Sequence, residues 1–179
     1  IYIWLDESDR HGECYSNFYG GILVLSRHYQ EVMERMRSVI ADAGINDEIK
    51  WQKVNEYHYD KYLRVVDELF DLAQEDKIKI RIFFRHNQYI ASRLTDEEKK
   101  ADYQMLYYQF IKYAFGLPYA EDGDLDSMTL FIDEIPLRQN ERNEFISHIR
   151  EIAHDSVLKK KGLKIAEDGI VEADSVSYT

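Results

Sequence analysis

The stretch Ile1-Tyr2-Ile3-Trp4-Leu5-Asp6-Glu7-Ser8 opens the chain with apolar β-branched and aromatic residues that run directly into two adjacent carboxylates. Such a run reads as a buried strand, because β-branched and aromatic side chains pack well on a pleated surface. Far downstream, Met128-Thr129-Leu130-Phe131-Ile132 repeats the arrangement and runs into Asp133-Glu134. Acids placed where apolar strands emerge are a recurrent way to build a site at the mouth of an α/β sheet. Asp6 and Asp133 are therefore the first candidates for function.

Working outward, residues 19–25 read as a second strand, joined to the first by the polar segment 8–13 in an antiparallel hairpin. A helix follows, with Tyr29, Val32, Met33, Met36, Val39, Ile40 and Ala43 at helical spacing, Ser26 as its cap and Gly44 as its stop. The short mixed segment Glu48-Ile49-Lys50-Trp51-Gln52-Lys53 leads to a second helix, whose expected buried stripe is Tyr59, Tyr62, Leu63, Val66, Leu69, Phe70 and Ala73. Residues 77–85 alternate, with Ile78, Ile80, Ile82 and Phe84 set against Lys77, Lys79, Arg81 and Arg85, as a half-buried strand should. Thr95 and Glu98 form a capping-box signal before a third helix with the stripe Tyr103, Leu106, Tyr107, Phe110, Ile111 and Ala114, stopped by Gly116 and Pro118. Pro136 and Asn140 precede a fourth helix around Phe145, Ile146, Ile149, Ile152 and Ala153, and residues 170–174 read as a last strand. The order predicts an α/β domain with a mixed central β-sheet flanked by helices on both faces.

The chain has 179 residues, a length suited to one domain spanning 1–179. With 45% hydrophobic and 13% aromatic residues, it is expected to fold rather than stay disordered. The net charge of -11 opposes simple counterion-driven binding of nucleic acid, yet it suits a protein whose site gathers carboxylates for divalent ions. Cys14 is the only cysteine, so an intrachain disulfide and a thiolate zinc cluster are excluded, and a cytoplasmic location is expected. No apolar run approaches the ~20 residues needed to cross a membrane. The first residue is Ile1 rather than methionine, which suggests part of a longer product.

The opening strand with Asp6-Glu7-Ser8, then Gly20-Gly21-Ile22-Leu23-Val24, then Glu48-Ile49-Lys50-Trp51, then Ile132-Asp133-Glu134 form an ordered set. As a set they resemble a large microbial family of uncharacterised proteins, catalogued as a domain of unknown function, with an N-terminal Asp-Glu-Ser motif. That family is similar in fold to ribonuclease H and is often found with mobile elements and defence genes. The resemblance covers essentially the whole chain and implies a ribonuclease H-like fold. Members usually carry a glycine where Asp9 stands, and they close with a helix bearing Leu-Gln-x-x-Asp after a serine like Ser175. The resemblance thus implies that the C-terminal helix, with the last acidic ligand, lies beyond Thr179.

Hydrolysis of a phosphodiester requires neutralising the charged oxygens, activating a water and stabilising the leaving oxygen, which two divalent ions ~4 Å apart can do. Mg²⁺ and Mn²⁺ prefer hard oxygen ligands, so convergent Asp and Glu residues are the fitting equipment. Asp6, Glu48 and Asp133 are the candidate catalytic ligands, with Asp174 as a fourth metal ligand. Lys50 would orient a carboxylate or contact a phosphate, and Ser8 and Ser175 complete the candidate substrate contacts. The expected activity is Mg²⁺- or Mn²⁺-dependent cleavage of DNA or RNA. The alternative is a non-catalytic binding or interaction module in a defence or mobile-element assembly, with a protein partner.

Each signal also has a structural explanation. Asp6 and Asp133 serve equally as turn or helix caps, and Glu7 and Glu134 point away from their neighbours toward solvent. Asp122-x-Asp124-x-Asp126 imitates half a calcium loop, but Ser127 replaces the needed glycine and Asp133 falls in a strand where the closing glutamate belongs. His148 and His154 fall on different helix faces, and no phosphate loop, nucleophile elbow or dinucleotide fingerprint is present. The tyrosines from Tyr103 to Tyr113 read as core, the basic face of residues 77–85 as sheet-edge protection or a phosphate track, and Lys159 to Lys161 as a solvated turn.

Overall fold

A computed structural model of the chain describes residues 1–8, 14–86, 95–121, 125–133, 135 and 138–172, with backbone only at 16, 17 and 96–100. Asp9, Asp122, Asp124, Glu134, Pro136, Asp174 and Ser175 lie outside the described residues, as does the side chain of Glu98.

Five strands form one sheet: β1 (Tyr2–Ser8), β2 (Tyr15–Val24), β3 (Ile78–His86), β4 (Thr129–Ile132) and β5 (Ile170–Glu172), in the order β3-β2-β1-β4-β5. β2 runs antiparallel to both β1 and β3, whereas β4 runs parallel to β1 and β5 parallel to β4. The mixed α/β sheet expected from the sequence is therefore present. The hairpin also forms, but both strands are longer than their apolar runs. Asp6, Glu7 and Ser8 lie inside β1, paired with Gly20, Tyr19 and Phe18 of β2. Pairing with a neighbouring strand extends β1 past the point where hydrophobicity stops.

Period-two alternation assigns the faces. Ile1, Ile3, Leu5, Tyr19, Leu23, Leu130 and Ile132 belong to the larger core, beneath α3 (Asp96–Gln109), α4 (Gln139–Arg150) and α5 (Ser156–Lys160). That helical layer contributes Tyr107, Phe110, Ile111, Phe145, Ile149 and Leu158, all buried. Burying one such side chain stabilises the fold by about 1.5–3 kcal/mol. Of the tyrosines expected in the core, Tyr107 is buried and Tyr103 and Tyr108 pack partly against it, whereas Tyr113, in the helical turn after α3, is exposed. The opposite face carries Trp4, Ile22, Val24, Ile78 and Ile80 beneath α1 (Tyr29–Asp42) and α2 (Glu56–Gln74). Gly21 lets the first face close: a Cβ there would lie 2.8 Å from Phe115 Cζ and 3.0 Å from the Trp4 carbonyl oxygen.

Several sequence readings are corrected. Ser26 lies in a short 3₁₀ turn before α1 and makes no side-chain cap; its Oγ accepts a hydrogen bond from the Ile1 nitrogen at 3.0 Å. Gly44, with φ of 61°, does end α1. In α2 the buried residues are Tyr62, Val65 and Leu72, while Tyr59, Leu63, Val66 and Phe70 are exposed. One helix with two apolar stripes offers two ways to pack, and contact with α1 and the sheet selected the stripe through Val65. Asn55 caps this helix, accepting from the His58 N–H at 3.0 Å. In β3, Ile82 and Phe84 are exposed although they share a face with buried Ile78. Asn140 lies inside α4 rather than before it, and Glu141 reaches back to the Arg138 N–H at 3.3 Å. Lys159 and Lys160 belong to α5 rather than a turn, a helix capped by Asp155, whose Oδ1 accepts from Val157 N–H at 3.0 Å.

Most of the basic face of β3 is engaged within the protein. Lys77 pairs with Glu31 and Glu75, Arg81 donates to the carbonyls of Ala114 and Ile80, and Arg85 pairs with Asp102. These contacts fit edge protection better than a phosphate track.

Candidate functional site

Parallel pairing of β1 and β4 sets Leu5 opposite Ile132, and the Asp133 N–H donates to the Leu5 carbonyl at 3.1 Å. Asp6 and Asp133 therefore follow side by side. Both stand on the α1/α2 face, since Asp6 is in phase with Trp4 and Asp133 with Phe131, whose rings stack at 4.9 Å. Asp6 is exposed, yet its carboxyl is partly desolvated.

Its pKa stands above the ordinary carboxylate range. Burial is the first cause, and the charges of Asp133, Glu7 and Glu48 add to it, against a lowering backbone hydrogen bond at Glu7. The charges of Asp133 and, least of all, Glu48 thus act on Asp6. Glu48 arrives from the loop after α1 and forms an ion pair with Lys50, Nζ to Oε2 at 2.8 Å. That pairing, first by hydrogen bond and then by charge, raises the Lys50 pKa, with a further contribution from Asp133. Lys53 Nζ donates to the Glu48 carbonyl at 3.3 Å and holds the same turn.

Glu7 differs from its expected solvated place. It is half-buried on the α3 face, and its charge is one of several influences, behind burial and Tyr103, that hold the Tyr107 hydroxyl well above its usual range. Ser8 is exposed at the end of β1, on the same face as Asp6. Sequence reasoning missed Glu172. It accepts from the Ile135 N–H at 3.0 Å and pairs with Arg142, tying β5 to the chain just after Asp133 and to α4. The one sequence signal for Glu172 is its position on the last strand, two residues before Asp174.

Among the described residues, no group of three His, Cys, Asp or Glu side chains is assembled as a ready metal cage. Asp6 and Asp133 are hard oxygen donors on adjacent strands, and Glu48 adds the last of the charges that raise the Asp6 pKa. A cation between them would relieve that repulsion.

The strand order and strand directions make a mixed α/β sheet in which acids stand side by side at the end of β1 and after β4. Two solved structures are similar along 99% of this chain. The PCNA:RNase HII complex from Archaeoglobus fulgidus matches with a TM-score of 0.44 and 10% identity, over 67% of that chain. A mutant protein of Bst-RNase HIII matches with a TM-score of 0.42 and 16% identity, and this chain spans 49% of its length. No protein-family model and no curated protein matches the chain. No helix among the described residues is long and apolar enough to cross a membrane.

Proposed function

We propose that the chain is a divalent-metal-dependent nuclease that hydrolyses phosphodiester bonds in DNA or RNA, and that it belongs to the microbial family its ordered motifs resemble. The observation that supports this reading is the placement of Asp6 and Asp133 side by side by the parallel pairing of β1 and β4, where the Asp133 charge adds to the burial that raises the Asp6 pKa. Like charges are brought together at a cost, and a bound cation offsets that cost.

Asp6, Asp133 and Glu48 would hold Mg²⁺ or Mn²⁺, with Asp174 as a further ligand and Ser175 near it. The metal supplies Lewis acidity toward the phosphate and lowers the pKa of a bound water. Asp6 contributes a carboxylate positioned by strand pairing, so its direction is fixed before substrate arrives. Lys50 holds Glu48 in place through their ion pair and presents positive charge to the substrate's phosphate, with Ser8 as a further polar contact. Residues 1–179 belong to one nuclease domain of a cytoplasmic protein.

The test is a cleavage assay on single- and double-stranded DNA and RNA with Mg²⁺ or Mn²⁺, beside Asp6→Asn and an EDTA control. Metal-dependent cutting that disappears in Asp6→Asn supports the reading. Equal cutting by both proteins assigns the activity to a contaminant and removes the support. A second reading, a non-catalytic interaction module, draws on the net charge of -11 and the lack of an assembled three-residue cage among the described residues. Inactivity together with no Mn²⁺ binding by calorimetry would select it.

A further inference from the structure

The α1/α2 face of the sheet is ordered in rows by strand register. The first row is Tyr2, Val24 and Ile78, and the second is Trp4, Ile22 and Ile80. Both rows lie beneath Val32, Met36, Leu69 and Leu72 of the helices. The third row is Asp6, Gly20 and Ile82, and beyond it lie Ser8, Phe18 and Phe84. The helical layer covers the first two rows and leaves the acid row and the next one open: Ile82 is 71% exposed and Phe84 50%.

A Cβ on Gly20 would meet nothing within 4 Å, so the floor between Asp6 and Ile82 is unobstructed. Two strand spacings put Ile82 about 10 Å from Asp6. Beside it, Phe84 stacks on Phe18 with ring centroids 5.6 Å apart and meets the Tyr15 ring edge-on at 5.2 Å. These rings brace one another and leave half of Phe84 facing solvent. The turn that carries Glu48 and Lys50, whose charges act on Asp6 and Asp133, presents Trp51, 87% exposed and between Lys50 and Lys53 in sequence.

A contiguous exposed apolar surface such as Ile82, Phe84 and Tyr15 marks a place where something docks. Its cover must tolerate acids in its path and match both flat apolar rings and lysines with an indole. Unpaired nucleobases on a phosphate backbone have that chemistry: the bases stack on rings, and the phosphates meet Lys50 and Lys53. A duplex buries its base faces and offers the rings nothing. We propose that the open row through Gly20, Ile82 and Phe84, together with Trp51 of the Glu48 turn, is a stacking platform for single-stranded nucleic acid running past Asp6. The proposal deepens, and rests on, the nuclease reading by naming its substrate class.

The test measures binding apart from cleavage. Fluorescence anisotropy in EDTA would follow a labelled single strand of about 12 nucleotides, as DNA and as RNA, with a blunt duplex of the same sequence as comparison. Phe84→Leu keeps the apolar bulk and removes the π-face, Phe84→Tyr restores a ring, and Trp51→Leu tests the Glu48 turn. The expected result is preference for the single strand, weakened about tenfold by each Leu variant and retained by Phe84→Tyr, with unchanged thermal unfolding. Equal binding of duplex and single strand, or binding indifferent to both Leu variants, overturns the platform. A dimer in size-exclusion chromatography that dissociates in Phe84→Leu, with oligonucleotide binding unchanged, also overturns it and makes a second copy the occupant. The two readings separate cleanly. Ring-dependent single-strand binding without any metal-dependent cutting keeps the platform and ends the nuclease, whereas cutting with ring-independent binding ends the platform alone.

Discussion

Asp133 leaves β4 beside Asp6 of β1 because its N–H donates to the Leu5 carbonyl at 3.1 Å, so one parallel strand pair sets two carboxylates on the same face. Their separation in sequence is large, and the backbone alone joins them. This arrangement concentrates negative charge whether or not anything is bound, and its consequences are measurable.

Asp6→Asn should stabilise the protein in the absence of metal. A carboxyl whose folded pKa is raised contributes stability that is full below its unfolded pKa and lost as pH rises through the folded one. Once pH exceeds the folded value that contribution is gone, and the ionised group destabilises the fold relative to a neutral side chain. Discounted for solvent screening of this exposed side chain, the gain is on the order of 0.5 kcal/mol, read by urea unfolding at pH 7. Wild type should gain stability on addition of Mn²⁺ and Asp6→Asn should not; stabilisation of both equally would sink the assignment.

Neighbouring glycines should respond in opposite ways. Gly21→Ala drives a methyl to 2.8 Å from Phe115 Cζ and 2.9 Å from Leu5 Cδ2. Overpacking of this kind costs about 1–3 kcal/mol. Gly20→Ala enters open space and should leave stability unchanged or slightly higher, since the unfolded chain loses freedom. Paired chemical-denaturation curves would show the contrast.

Asp155 carries two duties, capping α5 and pairing with Lys112 at 2.6 Å across to the helical turn after α3. Lys112 holds the Asp155 carboxyl below its ordinary pKa, and the backbone N–H groups of Leu158 and Val157 assist. A depressed folded pKa gives stability that is present above the unfolded value and lost as pH falls through the folded one. Asp155→Ala should therefore cost about 1–2 kcal/mol at pH 7 and progressively less in acid. A cost independent of pH would assign the effect to packing.

Arg35 joins α1 to α2 and to the turn before β3, with Glu68 at 2.5 Å and Glu75 at 2.7 Å. Glu75 also pairs with Lys77, and these two cations hold its pKa down to about 2. The network's contribution is full above the ordinary glutamate pKa and fades only as pH approaches 2. Because its members reach solvent, Arg35→Met should lower the melting temperature at low ionic strength and much less in 1 M salt, where the Debye length is about 3 Å. Equal losses at both salt concentrations would refute an ionic role.

How much was legible follows from the range of each interaction. Strands β1 and β4, the α1 stripe and the core role of Tyr107 and Phe110 were readable because periodicity records which side of a local element faces away from water. The pairing of Asp6 with Asp133 was readable too, since each acid ends an apolar run. The burial of Glu7 near Tyr107 and the supporting contact from Glu172 were not, because each depends on an element distant in sequence.

Short-range pattern and backbone geometry set the α/β class, the alternation of elements and the acids at two strand ends. Tertiary structure alone decided which stripe of α2 is buried and how far the helical layer reaches across the sheet. Tyr59, Leu63, Val66 and Phe70 are as apolar as the stripe that packs, and Ile82 and Phe84 alternate like their buried neighbour Ile78. Hydrophobic burial has no direction of its own, so the partner surface must choose among equivalent faces. Here α1 and α2 reach the second row of the sheet, and the acids with their aromatic neighbours stand open in the rows beyond.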